Sequence, residues 1–178
     1  MNKHLTIEDF WDFHTFIQQA FGEKAEMCFD SCGLISLHPR ANFRYDCTPI
    51  NAVPFAQTGG NGVHFSLLNG KNEKGYSGPI VMTSPMADEY NIIVSEDFEE
   101  FFSLGYYNGW FALEEIAYNL RNAVQYYAIE DKEKDEVDRA FLKMLRDHIG
   151  FSHSPLRISR LEYLNATYFW KLEVLDFE

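Results

Sequence analysis

Residues 51–68 read NAVPFAQTGGNGVHFSLL. Two short runs of β-favouring residues, 53–58 and 63–68, flank a break of glycine and asparagine, which is the sequence form of a tight hairpin. Gly59, Gly60, Asn61 and Gly62 tolerate positive φ, as a two-residue or bulged turn requires. Alternation puts Phe55 on one face of its strand and Val63, Phe65 and Leu67 together on one face of theirs. Ala56, His64 and Ser66 then point elsewhere. These apolar residues need a cover, and the rest of the chain offers it mostly as helices.

A glycine-rich loop invites a phosphate-binding reading. Phosphate loops lead from a strand into a helix whose free N–H groups meet the anion. Here the glycines lead into a second strand and no Gly-Lys-Ser/Thr follows, so nucleotide binding is set aside. His64 and Ser66 resemble a base beside a nucleophile, but they project from one face of one strand without a clear third member. Ordinary strand residues are the better reading. Cys28, Cys32, His38 and Cys47 make up a Cys₃His set whose first spacing suits structural zinc. The paired Cys-x₂-Cys knuckles of a strong zinc signature are missing, and Leu34, Ile35 and Leu37 read as strand or core. Buried, reduced cysteines are therefore expected, and no metal or cofactor is assigned.

At 178 residues the chain suits one domain with a substantial core. Its 16 Phe, 10 Tyr and 3 Trp must supply much of the buried area. No apolar run is long enough to span a bilayer, and the first residues lack the layout of a signal peptide, so a cytoplasmic location is expected. A net charge of −12 argues against nucleic-acid partners and anionic membranes, which reward Lys and Arg. A basic protein partner would be steered toward such a surface.

Residues 6–21 read as a helix capped by Thr6 with Asp9 in a capping box, and Gly22 ends it. Residues 27–46 have no clear period. Residues 69–78 form a polar loop, and 79–84 and 91–95 read as a third and a fourth strand. Ser95 is the expected cap of a short helix that buries Phe98, Phe101 and Phe102. After an aromatic turn at 106–110, the spacing predicts one long amphipathic helix over 111–128. Another helix runs through Val137, Phe141 and Leu145 to Gly150. A last one reaches about Leu164, with the tail open between helix and strand.

Several of these residues resemble the central pattern of the SUKH superfamily, also called the SMI/KNR-like family. Thr48-Pro49-Ile50, Pro54-Phe55-Ala56 and Thr58-Gly59-Gly60-Asn61-Gly62-Val63-His64-Phe65 correspond to its apolar-Phe-Ala strand, Gly-Gly-Asn/Asp-Gly turn and second strand. Residues 80–83 and 91–94 correspond to later strands. Glu96-Asp97-Phe98-Glu99-Glu100-Phe101-Phe102 matches the family's Asp/Ser-Phe-Glu-Glu-Phe-Leu helix. The match covers residues 48–104, and the family's Leu-Pro-x-x-Tyr/Phe helix and Asn-Gly-Gly stretch are not found before the hairpin.

The resemblance implies an α+β fold, many of whose bacterial members look like immunity proteins that neutralise a toxin, and it carries no catalytic residues. The expectation is thus a single α+β domain over 1–178, helical from about residue 111. Its antiparallel or mixed sheet of about four to six strands is built on the central hairpin and flanked by helices. The expected function is non-enzymatic protein binding, with a basic toxin domain as partner. Tyr76, Glu89, Glu96, Tyr106, Tyr107 and Trp110 are the candidate contact residues. The alternative is a small-molecule-binding protein or enzyme using a cleft near His64.

Overall fold

The computed structural model describes residues 4–37, 44–69 and 77–175. The hairpin stands at its centre: β2 (Ala52–Gln57) pairs antiparallel with β3 (His64–Leu68), and Val53 lies opposite Leu67. Gly59 and Gly62 take φ of +83° and +73° in the turn, with Asn61 at +51° between them. A short strand β1 (Ile35–Ser36) flanks β2, while β4 (Ile80–Thr83) and β5 (Asn91–Ser95) extend the sheet beyond β3. The result is an antiparallel five-stranded sheet in the order β1-β2-β3-β4-β5. The α+β expectation is met.

Two bulges refine the alternation. Pro54 pairs with Ser66 and Ala56 with Phe65, so Phe55 is an extra residue in β2. Ala56 therefore shares the face of Phe65 instead of pointing away from it, which corrects strict alternation. In β5, Ile93 pairs with Val81 and Ser95 with Ile80, which makes Val94 the extra residue. Both insertions send two consecutive residues to the same face.

That face is covered by α1 (Ile7–Phe21), α2 (Ala25–Cys32) and α3 (Phe98–Leu104). Thr6 and Asp9 form the capping box of α1: the Thr6 N–H donates to the Asp9 carboxylate at 2.9 Å. The interior is aromatic. Phe10 meets Phe29 and Phe55 edge-on at 6.3 and 6.4 Å, and Phe65 meets Phe101 at 5.0 Å. Edge-to-face rings place positive edges on negative faces, which adds about 0.5–1.5 kcal/mol per pair to the area buried. The cap of α3 is Asp97, whose carboxylate accepts from the Glu100 N–H at 2.8 Å. Ser95 instead belongs to β5 and is fully buried, so the Ser95 cap is corrected.

The expected long helix over 111–128 is interrupted. A 3-10 turn at Phe111–Glu114 leads into α4 (Glu115–Tyr118), and Asn119 leaves helical geometry at φ −149° and ψ 80°. Its side chain then accepts from the Asn122 N–H and caps α5 (Leu120–Tyr127). The apolar period runs through the break because both pieces face the same core. The short polar side chain of Asn119 serves the next helix as a cap, so one helix becomes two. Helix α6 (Glu136–Ile149) is capped by Asp135 and ended by Gly150 at φ +85°.

The last helix, α7 (Ile158–Tyr168), runs past Leu164 and gives way to a 3-10 turn at Phe169–Lys171, so 166–172 is not a strand. Leu164 covers the sheet's second face, packing with Leu68, Val81 and Ile93. The chain then returns to the root of the hairpin, where Ile50 N–H donates to Glu173 O at 2.7 Å and the Asn51 amide donates to Lys171 O at 2.8 Å. Among the described residues no helix is long and apolar enough to cross a membrane.

Candidate functional site

The expected contact residues are distributed rather than gathered. Trp110 is fully buried, stacked on Phe101 at 5.8 Å, and its indole N–H donates to the Phe101 carbonyl at 3.1 Å. It is a core residue, which corrects its assignment to a binding surface. An aromatic turn displays its rings only if no cavity nearby accepts them, and Gly105 leaves space here for an indole. Tyr106 and Tyr107 are half-buried and meet edge-on at 4.9 Å. Tyr107 also packs on His153 at 4.7 Å, and the Arg146 guanidinium lies 4.3 Å from the Tyr106 ring. Tyr76 lies outside the described residues.

Glu96 is half-exposed and already engaged. Arg160 of α7 donates to Glu96 at 2.7 Å and to both Glu100 oxygens, while the Tyr168 hydroxyl donates to Glu96. That hydroxyl, then the Arg160 hydrogen bond, holds the Glu96 carboxyl below its ordinary range, and the same contact pushes Tyr168 up to about 12. The cluster joins α7 to α3 and to the end of β5.

His64 is sealed inside the sheet. Gly62 O lies 2.8 Å from Nδ1, which assigns the proton to that nitrogen, and Nε2 then accepts from the Thr48 hydroxyl at 3.0 Å. Thr48 Oγ1 in turn accepts from the Tyr45 N–H at 2.9 Å, and the Tyr45 ring stacks on the imidazole. Burial lowers the His64 pKa against the opposing Gly62 contact, so the ring is neutral. A cleft opening onto this imidazole would require the Tyr45 and Thr48 segment to move aside.

Cys28 and Cys32 lie four residues apart on α2 and are both buried. Burial pushes both thiols up, Cys32 to about 12, which keeps them protonated and poorly nucleophilic. Among the described residues no three His, Cys, Asp or Glu side chains group to hold a metal; His38 lies outside those residues.

Glu89, by contrast, stands on the rim of an open groove of about 710 Å³. The connection from β4 to β5 supplies Asp88, Glu89 and Tyr90, and the strand itself supplies Ile92. Ile116 of α4, Leu120 of α5 and Leu161 of α7 form the apolar walls, with Phe169 and Val174 beyond α7. Glu162 of α7 adds a third exposed carboxylate, and among the described lining residues there is no Lys or Arg. Tyr90, Phe169 and Val174 remain 48%, 50% and 40% exposed, so large apolar surface at the groove is left uncovered. Sequence reasoning reached Glu89 as an acidic position on a candidate binding face. It missed the remaining lining because those residues come from separate elements, and none carries a local signal of neighbouring the others.

No known family model, curated protein or solved structure matches the chain.

Proposed function

We propose that this chain is a non-enzymatic protein-binding module of SUKH type, acting in the cytoplasm as an immunity protein that neutralises a bacterial toxin. The observation that carries protein binding is the groove between the β4–β5 connection and α7, where apolar walls meet three carboxylates. The SUKH reading is supported by the order of elements through the matching residues. Two hairpin strands, a third strand, a fourth strand and a short Phe-rich helix follow one another as the pattern requires. A net charge of −12 suits a basic partner.

The test is co-expression of the chain with the product of its neighbouring reading frame, followed by gel filtration at low and high salt. A stoichiometric complex, with growth restored where that product alone is toxic, is the expected result. Failure of any protein to co-purify with the tagged chain from its source cell, at any salt concentration, overturns the reading.

A further inference from the structure

We infer that the groove beside α7 is the docking face for a cationic amphipathic segment of a protein partner, an inference that rests on the protein-binding reading above. Two properties of the groove select that occupant. Its walls are apolar residues from four elements, Ile92 of β5, Ile116 of α4, Leu120 of α5 and Leu161 of α7, with the half-exposed Phe169 beyond α7. A volume of about 710 Å³ takes several apolar side chains at once, within the range of about 300–1,000 Å³ usual for ligand sites. A partner that only paired charges would leave this surface wet.

The charge on the rim supplies the second constraint. Asp88 and Glu89 project from the β4–β5 connection and Glu162 from α7, so the carboxylates stand on two separate elements. No lining cation offsets them among the described residues. An occupant that satisfies both walls carries apolar anchors in line, with Lys or Arg to either side. That is the pattern of an amphipathic segment laid into a groove. An acidic or neutral segment would leave three carboxylates partly desolvated without partners, and the resulting discrimination is electrostatic.

The test uses a fluorescein-labelled amphipathic peptide of leucine and lysine, with its leucine and glutamate counterpart as control, read by fluorescence anisotropy. The protein is compared with the double variant Glu89→Lys/Glu162→Lys in the groove and with Glu130→Lys/Glu133→Lys, which changes the net charge equally at exposed positions outside it. The groove variant is expected to bind the lysine peptide roughly tenfold more weakly or worse. The outside variant is expected to stay within about twofold of the wild type. Phe169→Ala, at a half-exposed ring, is expected to weaken binding while leaving its salt dependence unchanged.

Absence of saturable binding, equal weakening in both charge variants, or equal affinity for the glutamate peptide each overturn the inference. Its failure is separable from that of the parent reading. A native partner that co-purifies equally with wild type and groove variant removes this docking face and leaves protein binding intact, whereas the absence of any partner removes both.

Discussion

Asn165 treats the peptide unit of Ile93 as a neighbouring strand would. Its side-chain oxygen accepts from the Ile93 N–H at 2.9 Å and its amide donates to the Ile93 carbonyl at 3.1 Å, while a further bond to Leu161 O at 2.8 Å fixes the amide to its own helix. Ile93 lies in β5, an outer strand whose free edge would otherwise be a template for pairing with another chain. One side chain of α7 thus blocks the middle of that edge.

Asn165→Ala is therefore expected to cost about 2–3 kcal/mol in urea unfolding, since a buried donor and acceptor lose their partners together. It should also promote self-association, measurable by light scattering. Asn165→Asp keeps an acceptor for the Ile93 N–H and loses both donations, so its stability should fall between the two.

The cluster at Glu96 predicts a pH dependence at both ends of the scale. The Glu96 carboxyl is held below its ordinary value of 4.5, so its stabilising contribution is present above that value and is lost as pH falls through the lower folded value. Tyr168 has the opposite sign. Its contribution is complete below 10 and disappears as pH rises from there through about 12. Glu96→Gln should flatten the acid limb of a stability profile, and Tyr168→Phe should flatten the alkaline limb. Both groups are partly exposed to solvent, so the changes will be small and reduced by salt.

Two glycines should respond differently to alanine. A Cβ on Gly105 would lie 2.3 Å from the Trp110 ring, although its φ of −80° suits any residue. Gly150 has open space around it but a φ of +85°. Gly105→Ala is expected to cost about 1–3 kcal/mol through overpacking and to alter tryptophan fluorescence. Gly150→Ala is expected to cost about 1–2 kcal/mol through backbone strain with the fluorescence unchanged.

Thr48→Val removes the hydroxyl that links the Tyr45 N–H to His64 Nε2. A loss of about 1–3 kcal/mol is expected, because the buried imidazole nitrogen is left without that donor. His64 itself has a lowered pKa, so the protein should lose stability as pH falls below the ordinary value of 6.5. His64→Gln should lose less over the same interval in pH-dependent urea titrations.

Local chemistry made much of the fold legible. The Thr6 and Asp9 capping box, the glycine turn at 59–62 and the Gly150 terminator depend on neighbours within a few residues, and each stands where its residues indicate. Features set by distant partners were not legible. Phe55 and Val94 look like ordinary alternating residues until their opposite strands fix the register. Trp110 reads as exposed in a turn until Gly105 leaves room for it. Asn119 offers two local roles, and the choice between helix interior and cap is made by packing. The groove is the extreme case, assembled from residues as far apart as Asp88 and Val174.

The bulges at Phe55 and Val94 also bear on how the chain can change length. Deleting one residue from a paired strand ordinarily turns every later side chain to the opposite face. Removal of Phe55 or Val94 would instead restore plain pairing, with Pro54 and Ala56 still opposite Ser66 and Phe65, and Ile93 and Ser95 still opposite Val81 and Ile80. A homologue one residue shorter at either position would keep the same strand pairing with a straighter strand, at the cost of one buried side chain from the core. Among the described residues, these are two places where a one-residue gap in an alignment leaves the facing of the later strand residues as it was.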